Sequence, residues 1–210
     1  MVEHETSGAG PRPSRTTSPG EFDAYYASTP PWDIGRPQPA FLRLAQTQQL
    51  RGRVLDSGCG TGEHALMAAG LGLEAVGVDA APTAIALARR KAEERGLPVR
   101  FVVGDALDLP ALAATFDTVL DCGLFHIFDD GDRGRYVDSL NAVMPSGSRY
   151  HMLCFSDRQP GDWGPRRVRA DEIEASFAGG WRVESIEPAT LEITIDPEGV
   201  QAWLASITRV

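Results

Sequence analysis

From position 53 onward, short continuous apolar runs alternate with longer stretches whose apolar residues recur at helical spacing. The first run opens at Arg53 and ends at Asp56, and further runs at 74–78, 99–103, 116–121 and 149–155 read as buried strands. Helical spacing falls at 62–71, 81–95, 131–143 and 170–177. Strands separated by helices of this length pair in parallel through right-handed crossovers, which predicts a doubly wound α/β fold. The pattern changes near the end. Strands predicted at 181–187 and 191–195 lie too close together for a crossover helix, so they pair antiparallel. A last helix is predicted over 197–207.

The first fifty residues read differently. Residues 1–20 are rich in Ser, Thr, Pro and Gly with almost nothing to bury, which predicts a disordered tail. Residues 21–28 suit a short helix, the prolines of 29–39 exclude regular structure, and helical spacing resumes over 39–50. With 210 residues, 42% of them hydrophobic, the remainder (21–210) is expected to form one domain with a real core. A net charge of -9 argues against nucleic acid, since phosphate contacts need a basic face. Small-molecule chemistry is the better expectation. Three scattered cysteines (Cys59, Cys122, Cys154) show neither a disulfide framework nor metal spacing, and they suit a reducing cytoplasm. No apolar run has transmembrane length, so no membrane partner is expected.

The stretch R-V-L-D-S-G-C-G-T-G, Arg53 to Gly62, organises the rest. A strand that turns sharply into a helix through Gly58, Gly60 and Gly62 lets a ligand lie against the main chain. The dinucleotide fingerprint G-x-G-x-x-G is close, but Glu63 stands where its third glycine belongs. Asp56 would meet a pyrophosphate as a like charge, whereas S-adenosylmethionine carries an ammonium, a sulfonium and no phosphate. The stretch resembles the first motif of the class I S-adenosylmethionine-dependent methyltransferases, V-L-D-x-G-C-G-x-G. That resemblance implies a Rossmann-like seven-stranded sheet, mostly parallel with an antiparallel C-terminal strand pair, and S-adenosylmethionine as cofactor.

In open α/β sheets ligands bind beyond the carboxyl ends of the strands, and four acids fall there: Asp56, Asp79, Asp105 and Asp121. Asp79 follows the glycines by about twenty residues, where a carboxylate accepts both hydroxyls of a ribose. The resemblance gives it that role, with Ala80 beside it. It also gives Asp105 the adenine amino group, the Ala106 backbone a ring nitrogen, and Asp56 the methionine ammonium, directly or through water. Cys122, at the end of the fourth strand, joins these candidate cofactor contacts. Helix N-capping is the competing explanation for each acid, and a buried small residue the competing one for Cys122.

P-P-W-D-I-G-R-P-Q-P, Pro30 to Pro39, resembles the W-D-x-G-x-x-x-P flap of the halide, thiol and thiopurine methyltransferases and of bacterial enzymes that methylate heterocycles. The resemblance implies a flap, about 21–50, that folds over the cofactor. Trp32 would offer an aromatic face near the sulfonium and Arg36 a partner for the cofactor carboxylate. Tyr26, Phe125, Phe155, Arg158 and Trp163 are candidate substrate contacts, and Phe128 with Phe125 suggests an apolar wall. His126 is the candidate catalytic base, or else a structural histidine between those rings. For Arg166, Arg167 and Arg169 a solvated loop is expected. The activity read from these motifs is methyl transfer to O, N or S of a small apolar molecule, with an NAD-dependent oxidoreductase or a non-catalytic binding module as alternatives.

Overall fold

The structure, a computed structural model, describes residues 19–210. Most of the predicted tail, 1–18, lies outside the described residues. Two short helices, α1 (Pro19–Tyr25) and α2 (Pro39–Gln46), precede the sheet, and the prolines between them hold the chain in turns. Then come β1 (Arg53–Ser57), α3 (Glu63–Gly70), β2 (Glu74–Asp79), α4 (Pro82–Arg95), β3 (Val99–Val103), a 3-10 segment (Ala106–Leu112) and β4 (Thr118–Cys122). A second 3-10 turn (Phe125–Ile127), α5 (Asp130–Val143), β5 (Arg149–Phe155), α6 (Ala170–Ser176), β6 (Trp181–Ile193) and β7 (Asp196–Arg209) complete the chain.

The strands form one sheet in the order β3-β2-β1-β4-β5-β7-β6. β1 pairs in parallel with both β2 and β4, and β4 with β5, whereas β7 runs antiparallel to β5 and β6. Strand order therefore reverses at β1 and β4, which opens a crevice between their carboxyl ends. Two apolar layers flank the sheet. Phe41, Leu66 and Ile85 of α2, α3 and α4 cover one face; Leu109, Leu140 and Ile173 of the first 3-10 segment, α5 and α6 cover the other.

Two expectations fail at the C-terminus. Residues 197–207 are not a helix but most of β7, which lies between β5 and β6. Val200, Ala202 and Leu204 enter one apolar layer while Ala205 and Ile207 enter the other, so both faces are buried. A strand buried on both faces loses the apolar/polar alternation that marks a strand, and its apolar run reads equally well as a helix. The strands predicted at 181–187 and 191–195 are one strand, β6, with register shifts at Val183/Ser185 and Leu191/Ile193. Pro188 sits within it, opposite Trp203, and is tolerated because β6 is the sheet edge. Among the described residues no helix is long and apolar enough to cross a membrane, and no cluster of His, Cys, Asp and Glu has metal-binding geometry.

Candidate active site

A cleft of about 1140 Å³ opens beyond the ends of β1, β2, β3 and β4, large enough for two small ligands side by side. Its floor is the glycine loop. Gly60 and Gly62 hold φ of 51° and 87°, the left-handed region that side chains rarely enter. A Cβ on Gly60 would stand 2.9 Å from the Tyr26 hydroxyl, and one on Gly62 would stand 2.6 Å from the Phe101 ring. The Asp79 carboxylate ties this loop to β2, accepting from Gly60 N at 2.8 Å and from Ala81 N at 2.9 Å. Each of its oxygens keeps lone pairs for a ligand. Asp105 accepts from Leu107 N at 2.9 Å and so caps the 3-10 segment while its carboxylate faces the cleft. Asp105 can cap and meet a ligand at once, whereas Asp79 caps no helix and its amide contacts hold the loop to β2.

Asp56 is placed differently. It lies beneath the loop, 1% exposed, and does not line the cleft, so a direct contact with a ligand ammonium is not formed from this position. One oxygen accepts from Ala65 N at 3.0 Å; the other, Oδ1, is buried without a partner, 3.9 Å from His64 Nδ1. Burial raises its pKa to about 7. His64, which sequence reading passed over, does line the cleft. Its Nε2 accepts from Gln38 N at 3.2 Å, which fixes the neutral ring with its proton on Nδ1, toward Asp56.

Residues 26–38 form a roof over the loop. Trp32 packs edge-on against Tyr25 and Tyr26, with ring centroids 5.3 and 6.4 Å apart, and donates from Nε1 to the Tyr26 hydroxyl at 3.2 Å. Tyr26, expected among substrate contacts, thus stands over Gly60, next to Asp79. The roof is fastened at four points. Asp23 accepts from the amide and hydroxyl of Thr83 at 2.7 and 2.9 Å; Asp33 accepts from the Thr61 hydroxyl at 2.9 Å. The Gln38 amide exchanges two 2.9 Å bonds with the backbone of Glu192, and Thr194 N donates to Pro31 O at 2.8 Å. Arg36 pairs with Glu192 at 2.6 Å in the roof and also lines the cleft, with further guanidinium N–H groups beyond that pair. Beneath, Lys91 and Arg95 hold Glu63 at 2.8 Å, so the residue that broke the dinucleotide pattern anchors α3 to α4.

The far end of the cleft is apolar. Leu124, Ile127, Phe128, Phe155 and Trp163 line it, with Leu191 and Ile193 brought in from β6. Asp121 shapes this end from below: its buried carboxylate accepts from Leu124 N, Phe125 N and the Tyr150 hydroxyl at 2.9, 3.3 and 2.7 Å, and burial raises its pKa to about 6. Three donors on one carboxylate fix the turn that carries His126. That ring is 6% exposed and lies edge-on to Phe155 at 5.0 Å, and its Nδ1 accepts from Phe155 N at 3.0 Å.

Two expected substrate contacts lie elsewhere. The Phe125 side chain turns into the core, stacked on Phe177 at 6.0 Å under the Arg133 guanidinium, because the 3-10 turn sends consecutive side chains in different directions. Arg158 lies over Trp203 at 5.5 Å, outside the cleft. Nor is Arg167 a solvated loop charge. It donates to the carbonyls of Gln159, Trp163, Pro165, Gly161 and Pro160 and packs over the rings of Phe155 and Trp163. The loop 156–168 is thereby wound around one guanidinium, which presses Trp163 into the cleft. Arg166 pairs with Asp130 and Glu172, and Arg169 with Asp171, so carboxylates already occupy both.

Comparison with known proteins agrees with this geometry. Residues 54–147 match the model of a methyltransferase domain. Over 175 residues the chain is 39% identical to the 2-heptyl-1-hydroxyquinolin-4(1H)-one methyltransferase of Mycobacteroides abscessus, covering 82% of this chain and 77% of that one. A probable thiol methyltransferase of Arabidopsis thaliana is 28% identical over 77% of this chain and 72% of its own. A structure solved for the conversion of a disulfide bond into a thioacetal group during echinomycin biosynthesis superposes with a TM-score of 0.84 at 39% identity, covering 91% of this chain and 93% of that one. These relatives set aside the nicotinamide and non-catalytic alternatives. The chain belongs to the class I S-adenosylmethionine-dependent methyltransferases, and it is a small-molecule methyltransferase.

Proposed function

We propose that this enzyme methylates an oxygen, nitrogen or sulfur of a small, largely apolar molecule such as a hydroxylated heterocycle, a phenol or a thiol. The observation that carries this reading is the division of one cleft into a polar end and an apolar end. The named activities of the hydroxyquinolone and thiol methyltransferases point the same way.

The residues of the polar end fit the cofactor. Asp79 has lone pairs for the ribose hydroxyls, with Ala80 alongside, and Asp105 and the Ala106 amide, which line the same cleft, would meet the adenine edge. Gly58 and Gly60 line the cleft through main chain alone, where a side chain would run into Leu124 or Tyr26, and their backbone would lie along the methionine arm. Trp32 and Tyr26 cover this end, Cys122 lies on the wall between the two ends, and Arg36 holds the roof through Glu192. Asp56 acts from under the floor, as a negative field that favours a cationic ligand. Bound S-adenosylmethionine supplies a methyl group that passes to the acceptor atom as the S–C bond breaks, leaving a neutral thioether. The chain contributes position and dryness: Phe155, Phe128 and Trp163 exclude water and hold a flat acceptor against the polar end.

The test is a panel of thiols, phenols and N-hydroxy heterocycles incubated with labelled cofactor, with product identified by mass. Methylation of compact aromatic or thiol acceptors is expected. If label passed only to charged polar metabolites or to macromolecules, this reading would fall.

A further inference from the structure

The sequence leaves His126 as either the acceptor's base or a structural histidine, and the hydrogen bonding around it points to a third role. A neutral imidazole has one lone-pair nitrogen and one N–H. At His126 the lone pair is on Nδ1, where the Phe155 amide donates to it at 3.0 Å. The ring is also fixed edge-on to Phe155. The proton therefore resides on Nε2. Nε2 faces the bare α-carbon of Gly123, where even a Cβ would stand 3.4 Å away, and the ring lines the cleft.

We infer that His126 presents a fixed Nε2–H donor to the acceptor atom, and that the enzyme takes acceptors that arrive already ionised. This rests on the methyltransferase reading and specifies its substrate class. The acceptor loses its proton to water before it enters; its negative charge then cancels the sulfonium charge as the O–CH3 or S–CH3 bond forms. An anion in this cleft faces the carboxylates of Asp79 and, at the rim, Asp132, so it needs a compensating donor. Burial lowers the His126 pKa to about 3, and Arg133 from α5 and Arg167 from the loop act in the same direction. Those same cations favour an anion beside it. Cys122, the other titratable wall residue nearby, is held as a thiol by burial.

The tautomer is measurable without turnover. In 15N-histidine-labelled enzyme, long-range proton-nitrogen spectra should show His126 protonated at Nε2 and bare at Nδ1 from pH 5 to 8, with the signals identified by their loss in His126→Asn. In enzyme saturated with S-adenosylhomocysteine, added 4-nitrophenolate should shift the Nε2 resonances. A proton on Nδ1, a ring that titrates in this range, or the absence of a shift would overturn the donor role. Two variants extend the test to turnover. Asparagine places an amide atom where Nδ1 was and satisfies Phe155 N, whereas glutamine places one where Nε2 was and keeps a donor in the cleft. With 4-nitrothiophenol, His126→Asn should lose about 10- to 100-fold in kcat/KM, the worth of a hydrogen bond to a charged group, and His126→Gln should lose clearly less. Equal losses that grow with acceptor pKa would restore the base, and no loss in either would leave a wall. Cofactor affinity by calorimetry should be unchanged throughout; if it collapsed, the methyltransferase assignment of the cleft would be at fault rather than the donor.

Discussion

The two ends of the cleft are built by different means. At the polar end the groups beneath the roof come from strand ends or the turns after them, and backbone amides on short carboxylates fix the geometry: Gly60 and Ala81 on Asp79, Leu107 on Asp105. At the apolar end the wall is assembled from the turn after β4, the end of β5, the loop 156–168 and the far part of β6. One arginine, one buried aspartate and ring packing hold it. The first construction tolerates one ligand shape, because moving a backbone amide moves a strand. The second allows the wall to vary residue by residue while the sheet stays as it is. A fixed cofactor and a variable acceptor call for this division.

The largest effects should come from breaking the polar end alone. Gly60→Val forces a branched side chain into a left-handed position and against the Tyr26 hydroxyl, and it should remove measurable cofactor binding in calorimetry. Asp79→Ala should weaken the cofactor by about 1.5 to 3 kcal/mol, the range for charge-assisted hydrogen bonds, with the acceptor's KM unchanged at saturating cofactor. If the cofactor's dissociation constant did not change in Asp79→Ala, Asp79 would be only a tie between β2 and the loop.

That asymmetry also governs how much was legible in the sequence. The polar end was readable because its residues follow one another at fixed offsets from strand ends, and the five parallel strands carry continuous apolar runs. The apolar end was not, because its contacts join distant segments. The roof over the polar end shares that difficulty: Gln38 and Glu192, which fasten it, are 154 positions apart, and nothing in either neighbourhood signals the other. Leu191 and Ile193 reach the cleft only because 197–207 is a strand and places β6 at the edge, the element misread as a helix. Phe125 and His126 are adjacent, and the direction of each was set by Asp121 capping the turn, which a motif does not encode. Arg167 reads like any loop arginine because carbonyl acceptors leave no residue-type signature.

The apolar end should break separately and more mildly. Arg167→Ala removes five donations to loop carbonyls and the cation over Phe155 and Trp163. The loop loses its centre, and the acceptor's KM should rise about tenfold, the equivalent of about 1.4 kcal/mol, while cofactor affinity stays as it was. Trp163→Ala should raise KM in the same direction. A fall in cofactor affinity in either variant would show that the two ends are coupled, and the comparison would need redrawing.

The smallest effect tests whether Asp56, which does not line the cleft, belongs to the polar end at all. Its folded pKa of about 7 lies above the unfolded value of 3.8, so between these limits the folded state binds the extra proton. Stability from this group is present at low pH and is lost as pH rises through about 7, with a slope approaching about 1.4 kcal/mol per pH unit for one proton. Asp121 adds to this with the same sign, whereas His64, His126 and His151, all with lowered pKa, oppose it. The net profile is therefore mixed, and only the difference from a variant isolates Asp56. Asp56→Asn keeps an acceptor for Ala65 N and never ionises, so its melting temperature should match wild type only below the unfolded value of 3.8 and should exceed it increasingly as pH rises toward about 7. A cationic cofactor above the floor favours the ionised form, so binding near pH 6.5 should release a fraction of a proton, read from calorimetry in buffers of different ionisation enthalpy. Asp56→Asn should release less. Equal release in both proteins would confine Asp56 to capping α3, and the polar end would then rest on Asp79, Asp105 and the glycine backbone.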